Sequence, residues 1–186
     1  MFAAVALGGG LGSAWYMIEA GSRLSTRSFG PWTTWPAAGR PEADPYTRAH
    51  MVRNALLPLA STLEVTYQAR TDNRGGKITS ACDYTIVVEG FDAGWWSLAA
   101  FDARGRLIHN GAERYAFTSD TVMREADGRA VISLGRDARP GNWLPIGGAS
   151  RITLVLTVQD AALAAALYEG ADTAKPLPPI ERVQCH

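Results

Sequence analysis

The chain has 186 residues, a mass of 20.0 kDa, and 18 basic against 18 acidic side chains, so its formal net charge is zero. That is the length of one ordinary domain with a real core. A content of 47% hydrophobic and 19% charged residues excludes a disordered charged tail. A pI near 6.8 excludes a broad nucleic-acid surface, which needs clustered excess Lys and Arg. The 19 glycines and 10 prolines point to many turns and short strands rather than a helical bundle. Lys77 and Lys175 are the two lysines, and neither stands in a Gly-rich phosphate loop.

Residues 1–18, MFAAVALGGGLGSAWYMI, carry no charge. As a helix they would extend about 27 Å, close to the roughly 30 Å hydrocarbon core. Residues 1–19 therefore read as a single membrane anchor, with Trp15 and Tyr16 at an interfacial belt. A signal peptide lacks its basic start and cleavage site here, and a buried core helix is the remaining alternative. Gly8 and Gly12 form a small-xxx-small face suited to a membrane-protein partner. The expected placement is single-pass in the inner membrane, residues 1–18 in lipid, with the β domain in the periplasm. Arg23 and Arg27 pull the other way under the positive-inside rule. Residues 20–43 read as a linker packed on the domain through Phe29, Trp32 and Trp35, and 44–186 as the domain itself.

The spacing predicts a helix over 44–57. Asp44 is a capping residue, Pro45 fits the first helical position, and Tyr46, Ala49, Val52, Ala55 and Leu56 form an apolar face. From Leu63 the period changes to two: Leu63, Val65, Tyr67 and Ala69 alternate with polar residues. Further strand-like runs follow as CDYTIVVEG, WWSLAAFD, RLIHN, RYAFTS, AVISLG and RITLVLTVQD. Asp102-Ala103-Arg104-Gly105 and Asp127-Gly128 mark hairpin connections. Strands at this spacing without intervening helices predict an antiparallel sandwich or barrel. AALAAALY (161–168) reads as a short helix, and the proline-rich KPLPPIERV as an edge or surface segment.

The inventory for chemistry is thin. No GxSxG, HExxH or dinucleotide fingerprint occurs, so no catalytic residue, cofactor or metal site is assigned. His50, His109 and His186 are scattered. Asp83, Glu89, Asp92 and Asp102 are the acids from which a carboxylate pair could come. Cys82 and Cys185 read either as two buried thiols or as a disulfide, and beside an exported domain the disulfide is the expectation. Adjacent Trp95 and Trp96 point to opposite faces of their strand. Asn142 and Trp143, between two turns, read as a latch in which the indole plugs the sandwich end. Trp95, Trp96, Asn142 and Trp143 are also the candidate ligand contacts.

The ordered pieces GPWTTWP, DPYTRAH, CDYTIVVEG, WWSLAAFDARGRLIHN, ERYAFTS, ADGRAVISL, GNWLP and PPIERVQC run from about Gly30 to Cys185. In these the chain resembles the domain of unknown function 1214 family, in its short membrane-anchored alphaproteobacterial form. The resemblance implies a mainly β, jelly-roll-like sandwich, periplasmic exposure, pairing of Cys82 with Cys185, and a domain of unknown function 1254 protein as a partner. It brings no catalytic residue. The functional expectation is a non-catalytic envelope module binding a partner protein or glycan-like ligand. A periplasmic hydrolase or lyase with a carboxylate/His site in the sandwich mouth is one alternative, and a structural subunit of a membrane complex is the other.

Overall fold

Alternation of apolar and polar residues builds two sheets that share one core. The computed structural model describes residues 1–20, 25–53, 63–89, 94–170 and 177–186. In chain order the elements are α1 (Phe2–Ala20), β1 (Arg27–Phe29), β2 (Trp32–Thr34), α2 (Pro45–Arg53) and β3 (Glu64–Ala69). Then come β4 (Cys82–Val88), β5 (Trp95–Asp102), β6 (Ala116–Thr118), β7 (Ala130–Gly135) and β8 (Asn142–Pro145). The chain closes with β9 (Ile152–Gln159), α3 (Ala161–Glu169) and β10 (Ile180–Cys185). One sheet has the order β1-β2-β3-β9-β5-β6 and the other β10-β4-β7-β8. Val65, Tyr67, Leu98, Leu154 and Leu156 from the first join Tyr84, Ile86, Ile132 and Leu134 from the second in one buried cluster. The described residues are thus mainly β, with two sheets and three helices, in the manner of a β-sandwich.

Several expectations are revised. Sheets of six and four strands differ from the eight-stranded double Greek key of a jelly roll. Every strand pair is antiparallel except β7–β8, which is parallel with Ile132 opposite Asn142 and Gly135 opposite Pro145. The presumed linker supplies β1 and β2, which extend the larger sheet through Trp32–Ala69 and Thr34–Tyr67 pairing. RLIHN forms no strand, only an isolated bridge from Leu107 to Phe101. At 44–57 the described helix runs to Arg53, and residues 54–57 lie outside the described residues. Asp44 caps it by accepting from the backbone N–H groups of Tyr46 and Thr47 at 3.0 and 3.1 Å. Its buried face is Thr47 and His50, whereas Tyr46 and Val52 are 38% and 80% exposed. The helix faces the protein with polar side chains because its neighbours there are backbone and rings.

Helix α1 forms, but no helix among the described residues is long and apolar enough to cross a membrane. Four glycines and Ser13 dilute the apolar run. Its end is fixed to the domain: the Ile18 carbonyl lies 2.6 Å from His50 Nδ1, and Arg53 stacks 3.9 Å over the Trp15 ring. Phe2, Val5, Leu7 and Leu11, toward its start, are exposed. A side chain added at Gly8 or Gly12 would meet nothing within 4 Å.

Candidate functional site

The outer face of the six-stranded sheet is where the fold gathers recognisable binding groups. The odd residues of β3 point into the core, so Glu64, Thr66 and Gln68 point outward. On β9 the outward set is Thr153, Val155 and Thr157, and on β5 it is Trp95, Ser97, Ala99 and Phe101. Register places Thr66 opposite Thr157, Thr157 opposite Ser97, and Ser97 opposite Thr118, a row of hydroxyls across four strands. Part of this face, with α2, α3 and the segment after β2, forms an open groove of about 960 Å³. A smaller depression of about 170 Å³ shares its Trp35, His50 and Gln68 wall. The Trp35 and His50 rings stack with centroids 4.1 Å apart, which makes that wall rigid.

The groove is electrically one-sided although the chain is neutral. Arg53, Arg70, Lys77, Arg104 and Arg151 line it against two acids, Glu64 and Asp102. Four of the cations converge at one end by backbone connection. The Ile78 N–H donates to the Arg70 carbonyl and the Ile152 N–H to the Ile78 carbonyl, each at 3.0 Å. Ile152 in turn pairs with Asp102. Arg70, Lys77, Arg151 and the 102–105 turn carrying Arg104 are therefore neighbours. Asp102 does little to neutralise them. It accepts the backbone N–H groups of Arg104 and Arg106 at 2.8 and 2.9 Å and takes both Nε and Nη2 of Arg106. The Arg106 backbone N–H, foremost, holds its carboxyl below the usual range. Lys77, Arg104 and Arg151 have no ion-pair partner among the described residues. Glu64 stands about 20 Å away at the far end of β3.

A second polar cluster lies on the other sheet. Asp83, only 3% exposed, accepts on Oδ2 from Arg139, from Gln184 Nε2 at 3.0 Å and from His186 Nε2 at 3.1 Å. Burial pushes this carboxyl up, but the His186 and Gln184 hydrogen bonds and the Arg139 charge together hold it below the usual range. A side chain at Gly135 would sit 2.6 Å from Asp83 Oδ1, so that strand end stays bare. Beside it Cys82 and Cys185 are disulfide-bonded, directly opposite each other in the β4–β10 register. At the other end of β10, Asn73 exchanges two hydrogen bonds with Ile180, at 3.0 and 2.9 Å. Arg182 approaches buried Asp72 to 2.6 Å, off the hydrogen-bond direction, so that contact is ionic. Every feature here pins the C-terminal strand. It is a clamp.

The sequence candidates separate accordingly. Trp96 is a core residue at 1% exposure, and Trp95 lies on the outer face, half-buried. Asn142 is buried and fully hydrogen-bonded: its Oδ1 accepts Met123 N–H at 2.7 Å, and Nδ2 donates to the Met123 and Val131 carbonyls at 2.8 and 3.0 Å. Trp143 is not a plug. It belongs to β8 and is half-buried, donating to the Gly135 carbonyl at 3.2 Å, while Leu144 fills the core. Asp83 and Asp102 sit in separate clusters, Glu89 is exposed, and Asp92 lies outside the described residues, so these acids form no described pair. Among the described residues no three His, Cys, Asp or Glu side chains group as metal ligands. The basic end of the groove escapes a sequence reading because Arg70, Lys77, Arg104 and Arg151 are joined only by strand register. The scarcity of lysine, with Lys77 just after a turn and bridged to Thr71, is the one visible trace.

The structure thus defines a two-sheet β domain with an open, cation-lined groove. The model of the protein of unknown function family DUF1214 matches residues 64–162, just over half the chain, and the chain belongs to this family. Among solved structures it is similar to the VPA0106 protein of Vibrio parahaemolyticus, with a TM-score of 0.57 and 18% identity over 77% of this chain and 36% of that one. An uncharacterised protein of Burkholderia cenocepacia overlaps at a TM-score of 0.47 and 15% identity, over 65% of this chain and 30% of its own. The chain thus spans about a third of the length of these solved structures. No curated protein matches it.

Proposed function

We propose that this domain is a binding module of an oxidising, extracytoplasmic compartment, and that the groove on the outer sheet face is its ligand site. The groove carries this reading: its volume suits a small-molecule ligand, and its floor offers hydroxyl, amide and aromatic groups side by side. The disulfide supports the compartment, since such bonds persist in the periplasm and outside cells. The module captures its ligand rather than transforming it, and the periplasmic face of the inner membrane is its place of work. The test is export of the full chain to the periplasm followed by native mass spectrometry. A non-covalent adduct is expected on the wild type and weakened or lost in Thr66→Trp, whose indole would project from the floor into the groove. An adduct retained in full by Thr66→Trp would contradict the assignment of the site.

A further inference from the structure

We infer that the ligand is an amphiphilic anion: a molecule with one anionic group and an apolar ring or chain. This rests on the groove being the binding site and adds what the site selects. The selection follows from the distribution of charge. Arg70, Lys77, Arg104 and Arg151 are brought together at one end of β3 and β9, and no carboxylate pairs with the last three among the described residues. Neighbouring like charges repel one another, and a cleft lined by one sign focuses potential toward an opposite charge. The nearest acid, Asp102, is committed to Arg106 by two side-chain contacts of 3.2 and 3.0 Å. An anion placed there would pair with cations that no described carboxylate occupies.

Next to that end the surface turns apolar, and the remaining charged lining residues, Arg53 and Glu64, lie farther along the groove. Phe101 lies opposite Thr153, and Val155 follows two residues along the same face of β9. Trp35 and Met51 form the wall on the α2 side. An apolar body lying from the basic end along Phe101 and Val155 has about 20 Å of strand to follow, the length of β3. Small hydrated anions use the cations but leave these side chains wet. Neutral apolar molecules cover the side chains but leave the cations unpaired. An amphiphilic anion satisfies both, with the outward-facing Thr153 beside the polar atoms between its two parts.

The test is an amide-resolved NMR titration of the ¹⁵N-labelled full chain with 1-anilinonaphthalene-8-sulfonate. The comparison probes are the neutral N-phenyl-1-naphthylamine and sodium sulfate. The sulfonate dye should shift the amides of Thr66, Thr153 and Arg104 saturably. The neutral dye and sulfate should each bind about tenfold more weakly or worse, since each loses one class of contact. Exposed Arg104 and Arg151 tolerate reversal, so Arg104→Glu with Arg151→Glu should weaken the sulfonate dye about tenfold. The neutral dye should be unaffected, and Arg136→Glu on the other sheet should change neither. Equal affinity for the two dyes, or for sulfate and the sulfonate dye, would overturn the ligand class while leaving the groove as a site. If no probe moves those amides, the groove reading falls together with the inference.

Discussion

Asn142 and Trp143 stand next to each other and do different work. The Asn142 amide makes three hydrogen bonds to backbone groups of Met123 and Val131 while buried. Asn142→Ala strands those groups without water, so it should cost about 2 to 3 kcal/mol in urea unfolding. Trp143 is half-buried with one hydrogen bond, so Trp143→Ala should cost about 2 kcal/mol, less than the replacement of a core plug. The hydrogen-bonding role of Asn142 is legible from the turn residues around it. The burial of Trp143 is not, because it depends on the parallel pairing of β8 that nothing in NWLP announces. Asp83 gives the pH-dependent counterpart. Its folded pKa lies below the unfolded value of about 3.9, so its contribution is complete above that pH and is lost as pH falls through the lower folded value. Asp83→Asn should therefore lower stability at pH 7 by about 2 kcal/mol, discounted for the partly exposed Arg139. The variant should also flatten the acid limb of a stability-versus-pH curve below about pH 4.

The strands themselves are largely readable. Val65, Tyr67 and Ala69, or Ile152, Leu154, Leu156 and Val158, announce their strands by alternation, and burial follows it. Alternation fails where an element is short or where pairing is non-local. Trp32-Thr33-Thr34 is too brief to show a period, and its membership in the sheet comes from Trp32 pairing with Ala69. The Trp32 indole, buried and bonded to the Pro178 carbonyl at 2.8 Å, then ties this edge to the C-terminal segment. The groove is illegible for the same reason, since four cations at positions 70, 77, 104 and 151 meet only through register. The strand that most rewards testing is β10, an edge strand held by a covalent bond across 103 residues of sequence. Replacing Cys82 and Cys185 with Ser should lower unfolding free energy by up to about 4 to 5 kcal/mol, the loop-closure entropy restored to the unfolded chain. Because the Asn73–Ile180 and Asp72–Arg182 contacts remain, the folded variant should keep β10 in place. Hydrogen exchange at the amides of Glu181 and Arg182 checks this, and full exchange of both in the native state would mean that the bond alone holds the strand.

Taken whole, the molecule divides its polar groups between its sheets. Carboxylates on the four-stranded side and its neighbouring loop, Asp72 and Asp83, are buried and spent on holding the C-terminus. Lys77, Arg104 and Arg151, around the open groove of the six-stranded side, have no carboxylate partner among the described residues. On the proposed function, one face serves stability and the other recognition. The most direct measurement pairs one substitution on each face, Thr66→Trp and Trp143→Ala, and reads urea stability and sulfonate-dye affinity for both. Thr66→Trp should leave stability within about 0.5 kcal/mol and weaken or remove binding, whereas Trp143→Ala should lose stability and keep the wild-type affinity. Binding that survives Thr66→Trp in full but is abolished by Trp143→Ala in a folded protein would contradict the account.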